Sequence, residues 1–288
     1  MYTSVRTEHV VDSETATVEE RRRLILQRQV SASAPLRPRA TTDEILNRYS
    51  YDGSFVLTDS HNTLRSQRRP GSNVDEHRVQ TLLSHPRVRA FLMLDESALL
   101  LLNANSTSAS LDMSVASAML YKQLHGIWAV TETKARMIPF VFFCGQHREW
   151  GDAYGWPLAL ALSLLLQLGD KFGDYGADTL GAVFDDFAPD DVGSIVVAFG
   201  KLIAVLPQTV IVTLVVDGLR CFEHPPERQR GMVQVIAGLT STYDAGSRAR
   251  LKLLFTNSTR VAFVEHLFSR DAGEVLDMPR DLRPSGRW

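Results

Sequence analysis

From residue 98 onward the apolar positions gather into short unbroken runs: Leu99-Leu100-Leu101-Leu102, Phe140-Val141-Phe142-Phe143 and Val210-Ile211-Val212-Thr213-Leu214-Val215-Val216. A strand with one wet face alternates apolar and polar residues, whereas a strand covered on both faces is apolar throughout, so these runs predict interior strands of a mostly parallel sheet. Strands are expected at 98–103, 138–144, 209–216 and 251–256, with a weaker one at 274–278. Helical patterns fill the intervals at 111–124, 156–168, 190–205, 228–243 and 259–268. Alternating strands and helices joined by right-handed crossovers build an α/β three-layer sandwich around a five-stranded sheet, with ligands at the carboxyl ends of the strands.

The pattern is looser before residue 73. Thr17 and Glu20 form a capping box ahead of a helix over Glu19 to Leu26, and a second short helix starts at Thr42. Residues 31–38 and 66–72 have linker composition, rich in Ser, Pro, Arg and Gly. A partly disordered, helical and basic arm is therefore expected over 1–73, and a folded domain over 74–288. Asn73 is the expected cap of that domain's first helix, which carries Val79, Leu82 and Leu83 and stops at Pro86.

Charge separates the same two regions. Residues 1–92 hold fourteen Arg against eleven acids, and the remainder holds seventeen basic residues against twenty-two acids. The net charge of −2 gives no global field for nucleic acid, and the clusters Arg21 to Arg23 and Arg65 to Arg69 read first as solvated helix face and linker. Two cysteines in 288 residues argue against a disulfide framework, and the first residues carry Glu8, Asp12 and Glu14 with no apolar run, unlike a secretory signal. The longest apolar stretch, 156–168, is too short to span a bilayer. These features give the expectation of a cytoplasmic, or alternatively nuclear, protein with no membrane insertion.

Asp217-Gly218-Leu219 closes the third apolar run, and an acid in that place is either a strand-end turn residue or a metal ligand. Asn103-Ala104-Asn105-Ser106-Thr107-Ser108-Ala109-Ser110 follows the first run, where a helix N-terminus offers a weak anion site. No phosphate loop of the form G-x-x-x-x-G-K-[ST] can be written here. The first lysine is Lys122, and no glycine lies between Gly71 and Gly126. Without glycine the backbone does not easily wrap several N–H groups round one phosphate, and without lysine the phosphate charge is not neutralised.

The run ending in Asp217-Gly218-Leu219 resembles the Walker B segment of NACHT-type STAND NTPases, an apolar strand followed by Asp-Gly-Leu-Asp-Glu. Arg220 and Cys221 replace the last two acids. The segment from about 85 to 280 is similar to fungal proteins of STAND-like P-loop architecture. It is so through His85-Pro86-Arg87, Leu99 to Asn105, Phe142-Phe143-Cys144-Gly145-Gln146-His147, Val215 to Gly218 and Leu251 to Ser258. The resemblance implies a P-loop-NTPase-like sheet and a regulatory or self-recognition context. It also implies a degenerate nucleotide site at Asn103, Ala104, Asn105, Ser108, Asp217 and Thr256, with Mg²⁺ on Asp217 and Thr256 in the sensor position. Thr256 reads equally well as part of a helix N-cap region with Asn257 and Ser258, and Arg260 as an anion contact or a surface residue.

Cys144-x-x-His147 and Cys221-x-x-His224 follow strands that are neighbours in such folds, so the four side chains could converge as a Cys₂His₂ zinc site; buried thiols and loop histidines are the plainer reading. His147, Glu149 and Asp152 suggest acid–base chemistry, yet no nucleophile motif accompanies them. The sequence thus supports a catalytically inactive, NTPase-like regulatory or scaffold module with protein partners and no cofactor. The alternatives are a non-hydrolysing switch that binds ATP or GTP with Mg²⁺, and a small zinc-binding protein. Further domains in a longer chain would fit any of the three.

Overall fold

A computed structural model describes residues 41–69, 71–107, 110–130, 137–149, 151–184 and 187–280. Four helices come first: α1 (Thr42–Arg48), α2 (Ser54–Gln67), α3 (Glu76–Ser84) and α4 (Pro86–Met93). Strands and helices then alternate as β1 (Ala98–Asn103), α5 (Asp112–Val130), β2 (Met137–Phe143), α6 (Pro157–Phe172), α7 (Ala177–Phe184), α8 (Val192–Ala204), β3 (Ile211–Asp217), α9 (Pro226–Asp244), β4 (Arg250–Asn257), α10 (Ala262–Glu265) and β5 (Val275–Asp277). The helix expected over Glu19 to Leu26 lies outside the described residues.

The sheet has five strands in the order β2-β3-β4-β1-β5, every pair parallel. Each strand feeds its two faces to different layers. Leu99, Leu101, Leu214, Val216, Leu253 and Phe255 pack with α1 and α6 to α10 in one core. Leu100, Leu102, Val215 and Leu254 pack with α2 to α5 in the other. This two-sided burial is why the strands read as continuous apolar runs. The architecture is the α/β three-layer sandwich expected, with β2 and β3 adjacent.

Lys252 interrupts one run, and its placement shows how. Its stem crosses the core at 2% exposure, and Nζ donates to the carbonyls of Phe91, Leu92 and Leu94 at 2.9, 2.8 and 2.6 Å. Those are orphan acceptors at the end of α4, so one buried cation closes a helix C-terminus.

Packed structure extends N-terminally past the boundary expected at residue 74. Thr41 caps α1 through a capping box with Glu44, and Ile45 and Val56 are buried in the two cores. The cap of α3 is Asp75, whose side chain accepts from the Arg78 amide, and not Asn73. Pro86 ends α3 and also opens α4 at its first turn, where its missing N–H costs nothing.

Candidate functional site

Because all five strands run the same way, Asn103, Phe143, Asp217, Asn257 and Asp277 stand at one edge of the sheet. The register sets Asp217 beside Thr256, and Asn103 beside Asn257. The helix following β1 passes over this edge and brings Ser114 and Ser117 down on Asp217.

The Asp217 carboxylate is enclosed at 1% exposure by three hydroxyls. Ser114 Oγ donates to Oδ2 at 2.6 Å, while Thr256 Oγ1 and Ser117 Oγ donate to Oδ1 at 2.6 and 3.1 Å. Ser117 and Thr256 also lie 3.2 Å apart, closing the cluster. Burial holds the Asp217 carboxyl above the ordinary carboxylate range, against the three hydroxyls and the nearby Arg148 charge, which favour the ionised form. Thr256 therefore serves Asp217 and caps no helix; the cap of α10 is Val261, without a side-chain hydrogen bond.

The segment after β1 is stitched to the loops after β4 and β5. Ala104 N–H donates to the Asn257 carbonyl at 2.8 Å, and Ser106 N–H to the Ser258 carbonyl at 2.8 Å. Asn105 turns the chain with a φ of 51° and donates through Nδ2 to the Met278 carbonyl at 2.8 Å. A left-handed turn at a non-glycine residue favours Asn among few others. Asn103 Nδ2 donates to Asp277 Oδ1 at 2.9 Å. The amides of Ala104 and Ser106, which a phosphate-binding loop would turn towards its anion, are thus spent on carbonyl oxygens. Ser108 lies outside the described residues.

Two charged side chains close the entrance to α5. Asp112, in its first turn, is 3% exposed and accepts from the Asp75 amide at 2.7 Å. A carboxylate there takes the position beside the helix dipole that an external anion would seek. Arg78 pairs with it at 3.8 Å and donates to the carbonyls of Ala104, Pro279 and Arg280, the last at 2.8 Å. Neither residue was singled out in the sequence; only their meeting across the fold gives them a role.

Cys144 and Cys221 do come together. Gly218 sits between them with a φ of 78°, and a Cβ added there would lie 3.7 Å from Cys221 Sγ and 3.9 Å from Cys144 Cβ. Burial raises both thiols above their ordinary range, Cys144 the more. The histidines do not join them. His224 is exposed, and both ring nitrogens of His147 are taken: Nε2 lies 2.9 Å from Asp59 Oδ2, and Nδ1 2.9 Å from Asp152 Oδ2. Among the described residues no group of three or more His, Cys, Asp or Glu side chains is arranged to hold a metal ion.

His147 is itself a finding. Burial opposes a charge on its ring, but the hydrogen bonds and charges of Asp152 and Asp59 prevail and push its pKa up to about 9. An imidazolium with both N–H groups donated has no lone pair to act as a base, so the acid–base reading of His147 and Asp152 loses its base. Glu149 is exposed. Phe55 and Tyr154 stack at 4.5 Å against this group, and Arg228, 2% exposed, lies 4.9 Å over the Trp156 ring while its guanidinium reaches the Arg148 and Glu149 carbonyls. The loop after β2 is pinned from α2 on one side and α9 on the other.

Arg220 and Arg260 find partners within the same edge. Arg220 N–H donates to Asn257 Oδ1 at 3.0 Å and its Nη1 to Thr259 Oγ1 at 2.5 Å, while Arg260 chelates Glu265 at 2.6 and 2.7 Å. Among the described residues no helix is long and apolar enough to cross a membrane. The fold and its edge define an α/β protein with an all-parallel sheet and a closed carboxyl edge. The chain matches no known protein-family model, and no curated protein sequence matches it.

Proposed function

We propose that this chain is a catalytically inactive, NTPase-like module that works as a regulatory or scaffold piece through protein contacts. One observation carries the reading: the groups that would grip a nucleotide and its Mg²⁺ are bonded to one another. Both Asp217 oxygens are taken by hydroxyls and the Ala104 and Ser106 amides by carbonyls, while the first turn of α5 already carries the Asp112 carboxylate, which is bonded to the Asp75 amide. Phosphoryl transfer is almost entirely positioning and charge stabilisation, so a site with no phosphate-loop lysine and with Arg220 in place of an acid lacks what accelerates the reaction. Steady release of phosphate from ATP or GTP that disappears in Asp217→Ala would overturn this reading.

A second reading rests on Ser114. A hydroxyl at the start of the helix after β1 and an acid at the end of β3 are the two residue types that hold Mg²⁺ in P-loop NTPases, and here they meet at 2.6 Å. If Mg²⁺ and a nucleotide replaced that hydrogen bond, the module would be a binding switch without turnover. Calorimetric titration separates the two, because only the switch gives a saturable heat.

A further inference from the structure

A cleft of about 760 Å³ runs between α2 and α5, on the layer opposite α6 to α9. Its floor includes the half-buried Leu64 and Met119, and its walls carry His61, Arg65, Arg68 and Lys122. Among the described residues no carboxylate lines it, and none of these four side chains enters an ion pair or hydrogen bond. Several other arginines are paired with acids, among them Arg78 with Asp112, Arg250 with Asp95 and Arg270 with Asp277. Arg65, Arg68 and Lys122 around an apolar floor fit an occupant that is acidic and carries small apolar side chains.

We propose that residues 8–20 of the same chain occupy this cleft. That segment, Glu8-His9-Val10-Val11-Asp12-Ser13-Glu14-Thr15-Ala16-Thr17-Val18-Glu19-Glu20, holds five acids, no Lys or Arg, and three valines for the floor. Arg21-Arg22-Arg23 follow directly and are repelled by the cleft, which sets Glu20 as the end of the seated stretch. The connection from Glu20 to Thr41 spans up to roughly 70 Å when extended, against a radius of gyration of about 18 Å for a domain of this size, so it reaches any face. Tethering gives the segment a local concentration on the order of millimolar, which makes weak surface ion pairs sufficient. Among the described residues no aromatic ring that would stack nucleic-acid bases lines the cleft, which disfavours a single strand as the occupant.

The test uses the full-length chain at low concentration with a carbodiimide, which joins carboxylates to amines at contact distance. Lys122 supplies the amine in the cleft. The expected product, read by mass spectrometry, is an intramolecular link from Lys122 to Asp12, Glu14, Glu19 or Glu20. Its yield is independent of protein concentration, falls about tenfold in Arg65→Glu/Arg68→Glu, and falls in ~1 M salt. Both arginines are exposed, and an unchanged circular dichroism spectrum verifies the fold of the variant. Three outcomes overturn the proposal: Lys122 remains reactive but links only to other carboxylates; the link joins two chains with a yield that rises with concentration; or labelled single-stranded DNA binds through Arg65 and Arg68 with the segment unlinked.

Discussion

The Nε2 atom of His147 lies 2.9 Å from Oδ2 of Asp59, a residue 88 positions earlier in the chain, and this contact fastens α2 to the loop after β2. With Asp152 on the other nitrogen, the ring is charged in the folded protein over a range in which an unfolded histidine is neutral. Its folded pKa of about 9 stands above the unfolded value near 6.5. The extra stability is therefore complete below about pH 6.5 and is lost as pH rises through about 9, and after allowance for solvent screening it amounts to about 2 kcal/mol. Thermal melts of the wild type should fall over that window, and His147→Gln should flatten the fall. A variant that keeps the same slope would show that another group titrates.

Arg78 has the geometry of a keystone, reaching three backbone carbonyls of two different loops. Arg78→Ala removes the guanidinium from those acceptors and leaves the buried Asp112 without its counter-charge, at a cost of about 3 kcal/mol in urea denaturation. Arg78→Lys should recover less than half of this, since a single ammonium does not span the acceptors that a planar guanidinium reaches. Equal stability of Arg78→Lys and wild type would contradict the bonding described.

Asp217 makes a prediction of the same sign as His147, in a lower pH range. Its carboxyl is held above its ordinary range by burial, so the folded state binds the proton more tightly than the unfolded chain and loses stability as pH rises above the ordinary carboxylate range. Asp217→Ala strands three hydroxyls and should cost about 2–3 kcal/mol. Asp217→Asn keeps an acceptor and carries no charge, so its stability relative to wild type should improve between pH 4 and pH 8. A difference that stays constant across that interval would mean that Asp217 is ionised throughout.

Much of the scaffold was legible because it obeys one rule: strands buried on both faces are written as apolar runs. β1 spans the expected residues, and β2, β3 and β4 depart from expectation by one or two positions. The clearest omission, α2, has a physical cause. α2 buries Val56, Asp59, Ser60 and Thr63, a helical spacing filled mainly by polar residues. Asp59 is buried because His147 receives it, and Thr63 because Gln146 donates to it at 3.0 Å. No count of apolar positions registers such a face. α7 escaped because it is eight residues long, and the helix expected over 259–268 forms only at Ala262–Glu265.

The candidate site divides in the same way. Asp217 and Thr256 could each be placed at the end of a recognisable strand, and the family resemblance put both in one site; their adjacency comes from the register of β3 and β4. Ser114, Asp112 and Arg78, which close the edge, are ordinary surface-type residues in the sequence and acquire their roles only where α3, α5 and β3 meet. The paired cysteines followed from adjacent strands, whereas the destination of His147 depended on α2, which the apolar pattern did not reveal.

The most direct measurement is calorimetric titration of the full-length protein with ATP and GTP in the presence of Mg²⁺. With the Asp217 oxygens and the Ala104 and Ser106 amides internally bonded and the Asp112 carboxylate already in the first turn of α5, the inactive-module account predicts no saturable heat up to about 1 mM nucleotide, a standard free energy no better than about −4 kcal/mol. A saturable heat of one nucleotide per chain, abolished by Asp217→Ala and retained in Arg260→Ala, would contradict that account and establish the binding switch.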